Sequence, residues 1–395
     1  MSSLLPVADA QIRLFAMAPR VAVERVPLAQ AAGRWMAGPV VARRSQPAAD
    51  LSSMDGYAIR FADLPGPWRV IGESAAGRPF AGPIAAGEAA RVFTGAAMPA
   101  GADSVLVQEE AARDGDLLTL AGEGPPRRGT SVRRKGLDFS AGDTLIAAGE
   151  RLTPARVALA ATGGHGTLSV NRRLRVAVLA TGDELIAPGI ASDDPLALPE
   201  GNSAMLAAML ANLPVDVTPP GIIPDRLDAL IAAFGRAQAD IIVTTGGASV
   251  GDHDLVRPAL EAAGGAIHFW RIAIRPGKPM LAGTLGDAMV LGLPGNPVSA
   301  FVTATLFLRP LIAAMAGAVD PFPKTLTATL AEPLPANDHR QDYLRATLAD
   351  GRAAMIPIQD SSMLATLARA DCLIVRPPHA PPALIGDPVE ILTLA

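Results

Sequence analysis

From residue 174 to about 318 the apolar positions switch between two kinds of pattern. Short β-branched runs at 174–180, 215–223, 241–245 and 289–293 read as buried strands. Between them lie amphipathic stretches. Leu206, Met209, Leu210 and Leu213 fall on one helical face, and Leu227, Leu230, Ile231 and Phe234 on another, each with the spacing of a helix that covers a core. A helix is expected over 255–263, an extended piece over 267–274 and a long apolar helix from Val298. Strands and helices alternating at this size predict a doubly wound α/β domain, with a parallel sheet covered on both faces, at 171–318.

The flanks have other patterns. The first forty residues predict a helical arm, with a short helical stretch at 27–32 between Pro27 and Gly33. Short β-like runs at 68–71, 90–93, 104–108 and 117–120, separated by glycine and proline, predict a small β-rich domain at 46–139. Residues 152–163 turn helical again from Thr153-Pro154 and are expected to pack back on the arm. Segments 1–45 and 140–170 then form one helical domain, with the β-rich part as an insertion. The tail, 319–395, has extended runs at 325–330, 343–348, 353–358, 373–375 and 389–394, the pattern of a small β-barrel. The fold class is multidomain α/β plus β.

Composition narrows the function. The chain of 395 residues is too long for one ordinary core. Half of it is hydrophobic, yet no run approaches the ~20 apolar residues of a membrane span. The opening MSSLLPVADAQIRLF meets acid and base too soon for a secretory signal. One cysteine, Cys372, permits neither an internal disulfide nor a cysteine zinc site, and fits a reducing cytoplasm. A net charge of −4, no basic block and 4% aromatics argue against nucleic acid as a partner.

Candidate chemistry collects where strands end. The run at 241–254, IIVTTGGASVGDHD, empties from a strand into glycines and hydroxyls, whose backbone amides can face an anion, then into Asp252 and Asp254, which could hold a cation beside it. Thr181-Gly182-Asp183-Glu184 and Leu293-Pro294-Gly295-Asn296-Pro297 also follow strands, and the second opens a helix. Arg275-Pro276-Gly277-Lys278-Pro279 fixes two cations beside a tight turn, which suits an oxyanion. Each has a structural alternative: a plain turn, a helix N-cap, or a solvated basic loop. In the β-rich part, SSMDGYA at 52–58 and RVFTGA at 91–96 read more readily as turns than as sites. His165 and His253 show no ligand spacing, and no nucleophile–histidine arrangement is visible. Three motif loops at the carboxyl ends of one sheet are nonetheless where ligands of such sheets bind.

Taken in order, SSMDGYA at 52–58, RVFTGAAMPAGADSVLVQEE at 91–110, RRKGLDFSAGD at 133–143, TGDEL at 181–185, TTGGASVGDHD at 244–254, RPGKP at 275–279 and LPGNPVSAF at 293–301 resemble the molybdopterin molybdenumtransferase family across essentially the whole chain. The resemblance implies a helical arm, an inserted β domain, a molybdopterin-binding α/β domain and a C-terminal barrel. It also implies an elongated homodimer whose cleft joins the α/β domain of one subunit to the inserted domain of the other. The implied reaction takes adenylylated molybdopterin and molybdate, hydrolyses the phosphoanhydride with Mg²⁺ or a similar cation, releases AMP and delivers the metal to the dithiolene.

By motif position, Asp55, Thr94, Glu184, Asp225, Asp254 and Lys278 become the catalytic candidates. Thr181, Gly182, Asp183, Gly246, Gly247, Ser249, Gly251, Pro294, Gly295, Asn296 and Pro297 would cradle the substrate. Glu184, Asp225, Asp252 and Asp254 are the candidates for the metal. Arg275, Lys278, Arg345 and Ser361 are those for molybdate. Asp55 and Thr94 would come from the partner subunit, Asp55 orienting either a water or the metal. Arg275 stands where relatives often have lysine, and keeps the charge. Leu137 replaces a common glutamate, and Asp360 adds negative charge beside Ser361. Candidate protein partners are a molybdopterin adenylyltransferase and molybdoenzyme chaperones. The competing readings are that adenylyltransferase itself and a non-catalytic cofactor carrier or scaffold.

Overall fold

The computed structural model describes residues 4–247 and 255–394. Its central sheet has six strands in the spatial order Val215–Ile223, Leu174–Thr181, Ile241–Thr245, Ala288–Leu293, Leu281–Leu285 and Ala266–Trp270. The first four run parallel. Leu281–Leu285 runs antiparallel to both its neighbours, so the sheet is mixed where the sequence suggested a parallel one. The strand at Leu281–Leu285 escaped the sequence reading because its Ala-Gly-Thr centre has little β-branched character. The extended piece expected at 267–274 is divided: Ala266–Trp270 is the sheet edge, while Ile274–Arg275 crosses to the C-terminal domain.

Both faces of this sheet are buried, which explains its uninterrupted apolar strands. In Ile241–Thr245 every residue is buried. Ile241 and Val243 face one core with Leu206 and Leu210, while Ile242 faces the other with Leu230, Phe234 and Leu260. The long apolar helix begins at Pro297, passes through a π turn at Ala304–Leu308 and continues to Met315. The π turn lies just ahead of Pro310, which has no amide to donate. This helix is long and apolar enough to cross a membrane, but its most apolar window is 83% buried inside the protein, so it is a core helix.

Strand order sets the place of the site. Leaving Leu174–Thr181, the chain adds its next strand on one side, then Ile241–Thr245 on the other. The order reverses between Thr181 and Thr245, and connections leaving in opposite directions open a crevice there.

The N-terminal arm is less helical than its sequence suggested. Val7–Met17 is a helix whose Val7, Ala10 and Leu14 join the central core. Val23–Pro27 is instead a strand, paired with Thr167–Asn171, and the stretch at 27–32 is a single 3-10 turn, Leu28–Gln30. Val40–Val41 pairs with Thr144–Ile146, and helix Pro154–Thr162 is capped by the Thr153 hydroxyl. These contacts join the segments before and after the β-rich excursion. The excursion forms a six-stranded sheet around Ile59, Trp68, Leu106 and Leu118.

At the C-terminus, Gln341–Ala349, Arg352–Met355, Leu326–Leu330, Pro388–Thr393 and Cys372–Arg376 pair in a ring that closes between its last and first strands. Ala328, Ala346 and Ala353 let this five-strand barrel close tightly. Ile274–Arg275 adds to its edge in parallel with Gln341 and Asp342, fixing the barrel against the α/β domain.

Candidate active site

The crevice at the strand-order reversal is a cavity of about 640 Å³. Its walls include Thr181, Glu184, Asp225, Gly246 and Gly247 from the strand ends, and Pro294, Gly295, Asn296 and Pro297 from the start of the long helix. Ser362 and Leu364 of the barrel close one side.

The glycine pair is required by shape. Gly246 and Gly247 have φ of +90° and +60°, the left-handed region that favours glycine. A Cβ on Gly246 would lie 2.4 Å from the Thr181 carbonyl oxygen, and one on Gly247 2.7 Å from a Val256 methyl. The turn is therefore pressed against the end of the neighbouring strand. Thr181, only 5% exposed, presents a hydroxyl with no hydrogen-bond partner among the described residues.

The carboxylates of Glu184 and Asp225 also line the cavity. The Asp225 amide donates to Asp183 at 3.0 Å. Partial burial, then the nearby Asp183 and Glu184 carboxylates, hold the Asp225 carboxyl above its ordinary value. Among the described residues no three His, Cys, Asp or Glu side chains are grouped as metal ligands. Ser249, Gly251, Asp252 and Asp254 lie outside the described residues.

The helix start is used differently from the sequence reading. The Val298 amide, in the first turn of that helix, donates to the Ser361 carbonyl at 3.1 Å. The Asn296 side chain donates to the Ser361 hydroxyl at 2.9 Å. Ser361 thus sits on the LPGNP helix start, and the barrel loop covers part of this helix N-terminus.

Arg345 requires a correction. Read as a direct molybdate ligand, it is 1% exposed. Its guanidinium bonds the Gln359 side chain, the carbonyls of Ile358, Asp360 and Met363, and the Thr366 hydroxyl. All five donors of the fork are used within the chain, so Arg345 holds the loop that carries Ser361. Arg275 is likewise engaged. It pairs with Asp342 and lies 3.6 Å from Asp338. Burial raises the Asp342 carboxyl against the pull of Arg275. Lys278 is exposed and makes no ion pair among the described residues. The turn between these cations is fixed by Gly277, whose Cβ would meet a Thr303 methyl at 2.6 Å.

Asp55 and Thr94 are brought together, but neither lines the cavity. Thr94 donates to Asp55 through its amide at 2.7 Å and its hydroxyl at 2.8 Å. These bonds, with a smaller contribution from Arg91, keep the Asp55 carboxyl below its usual range. The Asp-Gly pair is a close approach rather than a plain turn, since a Cβ on Gly56 would lie 2.2 Å from the Leu106 carbonyl oxygen.

Glu200 and Asn202 are among the cavity residues that have no counterpart among the sequence candidates. Glu200 is a carboxylate only 6% exposed. Asn202 donates to the Gly295 carbonyl at 2.7 Å. The one hint in the sequence is an acidic residue just ahead of the Leu206 helix, which reads as ordinary capping.

Three family models divide the chain. Residues 5–164 match the MoeA N-terminal region (domain I and II), 177–314 a probable molybdopterin binding domain, and 327–394 the MoeA C-terminal region (domain IV). A molybdopterin molybdenumtransferase of Haemophilus influenzae is 34% identical over 381 residues, 93% of each chain. Molybdopterin molybdenumtransferase 2 of Mycobacterium tuberculosis is 34% identical over 388 residues, 93% of this chain and 94% of that one. The crystal structure of the molybdopterin biosynthesis MoeA protein of Pyrococcus horikoshii superposes with a TM-score of 0.82 at 28% identity, over the full length of both chains. The chain belongs to the molybdopterin molybdenumtransferase family, a family of transferases.

Proposed function

We propose that this chain is a molybdopterin molybdenumtransferase that inserts molybdate into adenylylated molybdopterin, with Mg²⁺-dependent hydrolysis of the phosphoanhydride and release of AMP. The observation that carries the reading is the cavity at Thr181 and Thr245, where a glycine turn, a helix start and the Glu184–Asp225 carboxylates converge. A phosphoanhydride needs backbone donors and charge neutralisation at one place. The Gly246–Gly247 turn suits the phosphates, and the Thr181 hydroxyl offers a donor with no other partner among the described residues.

The raised Asp225 carboxyl fits a cation site, because a divalent cation would relieve the repulsion from Asp183 and Glu184. Glu184 and Asp225, with Asp252 and Asp254 from the neighbouring segment, would hold Mg²⁺, which when bound neutralises phosphate charge. Molybdate would approach Lys278 and the Ser361 loop.

In this reading the enzyme is a cytoplasmic homodimer, and Asp55 of the partner subunit and Thr94 of the partner subunit face the cavity. A single buried Cys372 suits a reducing compartment. The adenylyltransferase alternative leaves the matched N-terminal and C-terminal regions without a task.

The test supplies the purified protein with adenylylated molybdopterin, molybdate and Mg²⁺, then adds a cofactor-free molybdoenzyme. Recovery of molybdoenzyme activity supports the transferase. Tight binding of adenylylated molybdopterin without recovery favours a carrier.

A further inference from the structure

Glu200 stands out among the cavity residues because nothing described so far employs it. Its carboxylate is withdrawn from water, which costs free energy unless partners replace the lost hydration. Among the described residues its side chain has one partner, the Ser203 amide, at 3.0 and 3.3 Å from its two oxygens. No Lys, Arg or His among them forms an ion pair with it. A carboxylate has about four acceptor sites, so one amide leaves most of that capacity open. Capping alone does not call for glutamate, since shorter side chains serve better.

The same cavity is lined by Thr181, 5% exposed, whose buried hydroxyl has no partner among the described residues. The open acceptor sites of Glu200 suit a ligand edge that carries donors. Around them, Leu185, Leu198, Met205 and Leu364 supply apolar surface suited to a flat ring. The Asn202 bond to Gly295 holds the 200–202 turn against the helix start, so the carboxylate is fixed relative to the glycine turn.

We propose that Glu200 is a specificity-determining residue that receives the pterin ring, an inference resting on the proposed substrate. The substrate carries two heterocycles. A pterin presents two adjacent donors, the ring N3–H and the 2-amino group, which a carboxylate accepts side by side. Adenine places an acceptor nitrogen beside its amino group and would set a lone pair against a carboxylate oxygen. Glu200 therefore selects the pterin, leaving the phosphates to the Gly246–Gly247 turn.

The test measures dissociation constants of adenylylated molybdopterin and of AMP for the full-length protein and for Glu200→Gln. Glutamine keeps an oxygen for the Ser203 amide but sets an amino group against the pterin donors. The expected result is roughly tenfold weaker binding of adenylylated molybdopterin, unchanged AMP binding and an unchanged unfolding midpoint. Equal affinity for adenylylated molybdopterin in both proteins, or an equal loss for both ligands, overturns the inference. A second measurement needs no variant. A soluble pterin should compete for the native site roughly tenfold better than the matching lumazine, which has oxygen in place of the 2-amino group. Equal competition overturns the inference as well. If the native protein does not bind adenylylated molybdopterin at all, the proposed function itself fails.

Discussion

Thr94 donates twice to one carboxylate oxygen of Asp55, across 39 residues of sequence. These bonds favour the charged form, so the Asp55 carboxyl lies below its usual range. Its contribution to stability is therefore present above the ordinary carboxylate pKa of about 3.9 and is lost as pH falls through the lowered value. Thr94→Val keeps the amide donor and removes the hydroxyl. The Asp55 pKa should then rise toward the ordinary value in an NMR titration, and the stability lost in acid should be smaller and be complete at a higher pH. An unshifted titration would mean that the hydroxyl bond contributes nothing.

If the site is shared between subunits, Asp55→Ala and Asp225→Ala should complement each other. Each variant alone should be inactive, while equal amounts dissociated and reassembled should recover about a quarter of native activity. Half of the random dimers would be mixed, with one intact site of two. No recovery, from verified mixed dimers, would place Asp55 and Asp225 in the same subunit's site or outside it.

Gly246→Ala should destabilise by about 2–4 kcal/mol, because its φ of +90° is strained for alanine and its Cβ would lie 2.4 Å from backbone. Gly286→Ala is the matched comparison. Its φ is +55°, but a Cβ there would meet nothing within 4 Å, so about 1 kcal/mol is expected. Chemical denaturation of both variants measures the difference, which isolates close packing from backbone strain.

Arg345→Met should destabilise the barrel by about 2–3 kcal/mol, since the buried loop loses five bonds from one guanidinium and the Ile358 carbonyl is left without a donor among the described residues. Hydrogen exchange should accelerate first in the loop at 356–366. A variant as stable as the native protein, but deficient only in molybdate binding, would restore Arg345 as a direct ligand.

Asp240 tests the acid limb of stability. Burial opposes its charge, but Arg172, the Arg175 amide and the Arg175 guanidinium outweigh it and hold the carboxyl well below the ordinary range. The stabilisation is full above about pH 4 and lost as pH falls through the depressed value. Asp240→Asn should cost about 2 kcal/mol at neutral pH, with the difference shrinking in acid. Denaturation curves across pH measure it.

The helices and strands around the cavity were legible because a sheet covered on both faces forces apolar runs such as Ile241–Thr245, and one-sided helices force the Leu227–Phe234 spacing. The clustering of three motif loops followed from the same periodicity. Leu281–Leu285 and the Ile274–Arg275 crossing were not legible, since their pairing depends on tertiary contacts rather than composition. Arg345 and Ser361 show the same limit within the site. Sequence marks a cation or a hydroxyl, but only the fold shows that the guanidinium is consumed by its own loop and that the Ser361 carbonyl occupies the Val298 amide. Glu200 went unnoticed because a glutamate before a helix looks like capping whether or not it borders a cavity.

The decisive measurement of transferase activity is AMP release from adenylylated molybdopterin by the purified protein, with and without molybdate and Mg²⁺. The expected result is release that requires both and is lost in Asp225→Ala. Binding of adenylylated molybdopterin with no release of AMP under any of these conditions would contradict it.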